Sequence, residues 1–436
     1  MRRRDFLGKT AAAIAMPVIL PRLARGQDAA SEQMLFAAIG VGRMGRLDLN
    51  DLLNQGLAHG ARVVMVCDVD SKRAAAAKKA VDQFYATKLN KPAWNCAVTG
   101  DFRRAIAHSG LDGVLIATPD HQHACVAIAA ANAGKHIYLE KPLTYSHGEG
   151  RRLVKAVRAN KVVFQTGSMQ RSSTRFRTAC ELVLNGRLGK VHTITVQLPL
   201  DSGTAKATKM PVPANLDFNR WLGPRPLADY CESRVHPQKG VDGRPGWLQI
   251  EDYCLGMVTG WGAHMFDIAQ WGNGSDTSGP VEIEAKGEFP DRGLFNVHTQ
   301  FTMEARYANG VRLLGKSAPE AGVWFEGDKG KLWVSRSILT TTPRSIAREK
   351  ITDGEKRLYA SDNHMGDFLR CARTGKDPAC PVETGHRSNT ICLMTHIAMK
   401  TGRKLTWDPS AESFTGDDAA NKMLDYTPRA WEDSKA

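Results

Sequence analysis

No apolar run in this 436-residue chain reaches the roughly 18 to 20 residues that a bilayer-crossing helix needs, so no membrane span is expected. There is no Lys/Arg-rich block, no basic stripe interleaved with aromatics and no internal repeat. A nucleic-acid partner therefore lacks its usual electrostatic footprint. Nine cysteines are present, but no pair has C-x-x-C or zinc-ligand spacing, and no metal site is expected. Cys67 and Cys125 fall inside strand and helix patterns, as small apolar core residues do. A bridge such as Cys371–Cys380 suits an oxidising compartment, but the sequence does not establish it.

What the chain does have is an excess of positive charge, +14 at neutral pH, within an ordinary globular composition. Part of that excess is a leader. Residues 1–26 hold Arg2, Arg3, Arg4, Lys9, Arg22 and Arg25 against Asp5 alone, a contribution of +5. The rest is spread thinly and suits a mildly basic cleft for an anionic cofactor or an acidic sugar. The charged start runs into an apolar stretch, residues 10–20, and then into small residues Ala24 and Gly26 ahead of Gln27. Arg3-Arg4, one residue, then Phe6-Leu7 resembles the twin-arginine signal of proteins exported already folded. Residues 1–33 are thus expected to be a twin-arginine signal and linker. That makes the twin-arginine export machinery a partner and the periplasm, or another exported location, the destination. A folded passenger carries its cofactor with it, and outside the cytoplasm little free dinucleotide exists to exchange.

The first strand after the leader, residues 34–39, runs straight into Gly40-Val41-Gly42-Arg43-Met44-Gly45. An amphipathic segment over 46–58 and a second strand over 61–67, ending on Asp68, follow. G-x-G-x-x-G between strand and helix lets the backbone approach a pyrophosphate, whose charge rests on the helix N-terminus. Asp68, 23 positions after Gly45, stands where a carboxylate accepts from the adenosine ribose. It would repel a 2′-phosphate, which favours NAD over NADP, although Lys72 and Arg73 follow closely.

Further strand–helix units predict a doubly wound parallel Rossmann sheet over 34–160, closed by a last strand over 162–167. Ligands of such sheets bind at the carboxyl ends of strands. There lie Thr118, Pro119, His121 and His123, then Glu140-Lys141-Pro142, then Gln170 and Arg171. The expected cofactor contacts are Gly40, Gly42, Arg43, Met44, Gly45, Asp68, Thr118, Pro119, His121, His123, Glu140, Lys141 and Gln170.

These pieces, with Gly134-Lys135-His136 and the later Gly262-Ala263-His264 and Asp267, resemble the Gfo/Idh/MocA oxidoreductases. That family is named after glucose–fructose oxidoreductase and inositol dehydrogenase. The resemblance runs from Met34 to Trp431, and Glu-Lys-Pro is its most specific piece. It implies an α/β protein in which 161–436 form an α+β substrate domain on a large open, mostly antiparallel sheet, often buried in dimers or tetramers. It implies a sugar, cyclitol or related small molecule as substrate, Lys141 as catalytic lysine and His264 as catalytic histidine. Oxidising a ring hydroxyl needs a base for the O–H proton while hydride leaves to the nicotinamide, and a lysine beside a histidine shares that work.

One position departs from the pattern. Family dehydrogenases commonly carry an aspartate four residues before this histidine, and here it is Gly260. Asp267, one turn later, stands either as a substrate contact or as a structural partner. The departure keeps three functions open: net oxidation; a redox-neutral glycosidase, lyase or epimerase that oxidises and re-reduces its substrate; and a non-catalytic sugar-binding protein. Gln170, Arg171 and Trp261 complete the expected substrate contacts, with loop structure or core packing as the alternative for each. A proline-rich stretch over 201–252 is too long for a plain connection and reads as functional or oligomer-forming.

Overall fold

The computed structural model describes residues 33–92, 94–201, 204–240 and 243–431, so the expected leader lies, but for its last residue, outside them. The N-terminal half is a six-stranded sheet. Its strands are β1 (Met34–Ile39), β2 (Ala61–Cys67), β3 (Ala97–Thr99), β4 (Gly113–Ile116), β5 (His136–Leu139) and β6 (Phe164–Thr166). They run parallel in the order β3-β2-β1-β4-β5-β6, the doubly wound arrangement expected. The sheet extends past residue 160, because β6 pairs with β5 as its edge strand. Nearly every residue of β1, β2 and β4 is buried, as strands covered by helices on both faces must be.

The second sheet has nine strands: β7 (Val191–Leu198), β8 (Pro280–Glu288), β9 (Gln300–Tyr307), β10 (Arg312–Ser317), β11 (Gly322–Gly327), β12 (Gly330–Val334), β13 (Leu339–Thr342), β14 (Leu405–Asp408) and β15 (Ser413–Phe414). The order is β13-β12-β11-β7-β10-β9-β8-β14-β15, and only β7–β10 pair in parallel. One face, through Ile194, Val196, Leu313, Val323, Phe325 and Leu332, packs on helices Thr174–Leu184, Gly262–Gly272 and Val382–Thr401. The other face alternates outward, as an antiparallel sheet with one free side does.

The two halves are interlocked. Helix His364–Thr374 returns to the first half, where Phe368 meets Phe36 and Tyr138 edge-on at 5.9 and 5.8 Å. The proline-rich stretch forms a small core of its own around Phe218, Trp221, Tyr230 and Tyr253. It then docks as a strap on the end of β2. The Asn215 carbonyl accepts from the Ser71 N–H at 2.8 Å, and the Val69 carbonyl accepts from the Asp217 N–H at 2.9 Å. Among the described residues, no helix is long and apolar enough to cross a membrane, and all nine cysteines are unbridged, Cys371 and Cys380 included.

Candidate active site

The carboxyl ends of the parallel strands are held level by hydrogen bonds from one loop to the next. Gly40 N–H donates to Cys67, Ala117 N–H to Ile39, Glu140 N–H to Ile116 and Gly167 N–H to Leu139, at 2.7 to 2.9 Å. The polar residues after each strand therefore share one edge, and a cavity of about 650 Å³ opens along it. That volume suits a small organic ligand together with part of a cofactor.

At one end lies the glycine turn. Gly40 has φ +79°, a conformation that favours glycine, and a Cβ on Gly45 would overlap the Gly40 carbonyl oxygen. Helix Arg43–His59 can therefore start against β1. Its N-terminus has no side-chain cap and no acidic residue in its first turn. Its free N–H groups and dipole are thus left for an anion. Asp68 follows β2, half-buried beside this turn, where its Oδ2 accepts from the Val41 N–H and its Oδ1 from the Asp70 N–H, both at 2.9 Å. Burial raises its carboxyl, while those donors and the charge of Arg73 lower it. Gly40, Gly42, Arg43, Met44, Asp68, Thr118 and Pro119 all line the cavity. The donor set fits the pyrophosphate and ribose of a dinucleotide.

At the other end, residues from both halves meet. Lys141 and Glu140 follow β5, and His264 comes from helix Gly262–Gly272; all three line the cavity. His264 is 5% exposed, and its Nδ1 has no partner among the described residues. Burial first, then the charges of Lys141 and Arg336, hold the imidazole well below its usual range, so it is neutral. Carboxyls gather around Lys141. Burial pushes Asp120 up to about 7, against the opposing pull of Lys141 and a hydrogen bond from the Cys254 thiol. Asp48 and Glu140 are raised too, by burial. Trp247, Met257, Gly260 and Trp261 form the wall opposite, and a Cβ on Gly260 would meet open space.

Several expected contacts lie elsewhere. Asp267, fully buried, holds Arg171 through Nε to Oδ2 and Nη2 to Oδ1 at 2.8 Å. Ser388 and Asp276 complete that cluster, which lies outside the cavity lining, so neither Arg171 nor Asp267 faces the substrate space. Gln170 is also buried off the cavity, its amide pointing at the Met265 sulfur. His123 staples two loops, its ring nitrogens facing the carbonyls of Pro142 at 2.7 Å and Thr118 at 2.9 Å. His121 instead faces the Trp221 carbonyl at 3.0 Å, and Gln122 Nε2 donates to the same carbonyl at 2.7 Å. Both serve to hold the strap. Gly45 packs behind the turn rather than lining the space.

Sequence reasoning assigned no individual role to Asp120, Cys254, Arg336 or the strap residues Arg220, Trp221, His236 and Arg244, all of which line the cavity. Only Asp120 had a local signal, its place in the loop after β4. Among the described residues, one cluster has metal-ligand geometry: His147, His386 and Glu412. It lies away from the cavity, and Arg151 and Arg387 occupy its carboxylate.

Comparison with known proteins agrees with this architecture. The model of the oxidoreductase family's NAD-binding Rossmann fold matches residues 34–168, and that of its C-terminal alpha/beta domain matches 198–433. An uncharacterized oxidoreductase, YrbE of Bacillus subtilis, is 25% identical over 390 residues, 85% of this chain and 96% of that one. Inositol 2-dehydrogenase of Salmonella typhimurium is 30% identical over 153 residues, 35% of this chain and 42% of that enzyme. The WlbA dehydrogenase of Bordetella pertussis, solved with NADH and UDP-GlcNAcA, superposes with a TM-score of 0.62 over 86% of this chain and 99% of that one. At 17% identity that last likeness is one of fold. The chain belongs to the Gfo/Idh/MocA oxidoreductase family and is an enzyme built on that family's NAD-binding Rossmann fold.

Proposed function

We propose that this enzyme oxidises a hydroxyl of a sugar, cyclitol or glycoside with an NAD(H) that stays bound between turnovers, in the periplasm after twin-arginine export. The observation that carries the reading is the meeting of Lys141 and a neutral His264, one from each half, in a cavity between the glycine turn and a tryptophan wall. When bound, NAD supplies the hydride acceptor. His264 takes the hydroxyl proton, and Lys141 donates to the substrate oxygen as its C–O bond becomes C=O. The C–H electron pair leaves as hydride, so atoms and charge balance.

The strap supports retention of the cofactor. His236 Nε2 donates to Asp70 Oδ2 at 2.9 Å with both side chains buried, and the strap's Arg220, Trp221 and His236 line the cavity beside Asp68 and Arg73. Trp431 closes the same end, held there as Arg429 donates to the Gly223 carbonyl and the Asn219 side chain. An enclosed cofactor also favours a second reading: substrate oxidised and then re-reduced in one cycle, as in a redox-neutral glycosidase, lyase or epimerase.

The test is to recover the protein from its export compartment, denature it and identify released nucleotide by mass spectrometry. Near-stoichiometric NAD(H) supports retention, and protein that is folded but empty overturns it. Net NADH on adding sugars selects oxidation, whereas product without NADH selects the redox-neutral cycle.

A further inference from the structure

Six cationic side chains line the cavity: Arg43, Arg73, Lys141, Arg220, Arg244 and Arg336. Most have a task. Arg244 pairs with Asp201 at 2.6 Å, and Arg220 faces Asp101 and Asp217 at 3.6 Å. Arg43 and Arg73 stand at the glycine turn, where a dinucleotide's anionic groups belong.

Arg336 stands at the catalytic end. Its guanidinium lies 4.6 Å over the Trp261 ring, and among the described residues it has no hydrogen bond and no ion pair. The turn that carries it, between β12 and β13, is fixed. Ser335 N–H donates to the Ile338 carbonyl at 2.9 Å, Ser335 Oγ accepts from the Ile338 N–H, and Arg175 donates to the Arg336 carbonyl. Burial lowers the guanidinium's pKa, partly offset by the charge of Glu140. Its charge also reaches His264. The residue is exposed at the cavity, so its unpaired guanidinium is open to an incoming anion as well as to water. A planar guanidinium fork matches a carboxylate or phosphoryl group in two parallel hydrogen bonds.

We propose that Arg336 determines substrate specificity by binding an oxyanion on the sugar, so that the substrate is an acidic sugar, either a uronate or a sugar phosphate. This rests on the reading of the cavity as a sugar site, and binding is therefore measured apart from turnover.

The NAD-loaded enzyme is titrated by calorimetry with matched probes: glucose, glucuronate and glucose 6-phosphate, then galactose and galacturonate. The expected result is at least tenfold tighter binding of an acidic member than of its neutral parent, weakening as salt rises. Whether uronate or phosphate is preferred identifies the oxyanion. Arg336→Gln should erase the preference without shifting the melting temperature of the sugar-free enzyme. If that variant is destabilised, Arg336→Lys, which keeps the charge and loses the fork, should retain part of the preference. Equal binding of neutral and acidic members overturns the proposal, as does an acidic preference that survives Arg336→Gln. An acidic preference with no hydride transfer to NAD would support the subsite while removing the dehydrogenase reading.

Discussion

Replacing Asp120 with asparagine should stabilise the protein, and only above about pH 4. Burial pushes the carboxyl from its ordinary 3.8 up to about 7. At 1.36 kcal/mol per unit, a shift of about 3 units is on the order of 4 kcal/mol. The sign follows from which state holds the proton longer. Below pH 3.8 both folded and unfolded chains carry it, and no penalty exists. Between 3.8 and about 7 the unfolded chain ionises first, so the folded state loses about 1.4 kcal/mol per pH unit. Above about 7 the loss is constant. Asparagine carries no charge to desolvate and keeps nearly the same shape. At roughly 2.1 cal/mol/K of unfolding entropy per residue, about 4 kcal/mol corresponds to about 5 °C in a chain of this size. Thermal melts of both proteins from pH 4 to pH 8, with NAD saturating, should show no gain at pH 4 and about 5 °C at pH 8. A gain independent of pH, or a wild type more stable at pH 8, would refute the reasoning.

Four further outcomes follow from the same geometry. Lys141→Ala and His264→Ala should each lower kcat by about a hundredfold or more with little change in melting temperature, and a kcat within twofold for both would remove the pair from the reaction. His236→Ala deletes the buried hydrogen bond to Asp70 and should speed NAD release about tenfold in a dilution chase, since one such bond is worth roughly 1 to 3 kcal/mol. Asp267→Asn should cost about 3 kcal/mol in denaturant melts and leave KM alone, whereas a changed KM in a protein of normal stability would return that residue to the substrate site. Gly45→Ala pushes a methyl group into the Gly40 carbonyl and should cut the NAD recovered per chain by more than half.

The legible part of the fold was the part whose chemistry is local. β1 into the glycine turn, Asp68 at the end of β2, and Glu140-Lys141-Pro142 after β5 each announce themselves within a dozen residues. Their common edge follows from the parallel sheet alone. His264 was legible only through resemblance, because an apolar helix with one histidine has no chemistry in its periodicity. The short strands β11, β13, β14 and β15 escaped the reading, being brief or bounded by glycine or turn residues. Polar residues at strand ends were over-assigned to ligands for a physical reason: a loop histidine has the same local pattern whether it meets a nicotinamide or a carbonyl of its own chain. His121 meets Trp221, one hundred residues on, and Arg171 meets Asp267, ninety-six residues on. Nothing near either residue reports its partner.

The strap shows why that distance matters for function. Its anchor, Asp70, already caps helix Ser71–Leu89 by accepting from the Lys72 N–H at 2.9 Å, and it also takes Asn215 and His236. One carboxylate thus fixes both the helix that follows β2 and the segment lying over it. The second half supplies His264, Trp261 and Arg336 to one end of the cavity and Arg220, Trp221 and His236 to the other. A loosened strap would therefore disturb both ends, since Arg244 pairs with Asp201, whose other oxygen accepts from the Met257 N–H in the wall. On the proposed function, cofactor retention and substrate geometry are for this reason expected to be coupled. His236→Ala should then raise KM for sugar along with the NAD release rate, whereas Gly45→Ala, which acts behind the turn, should lower NAD content without changing KM in the molecules that remain loaded.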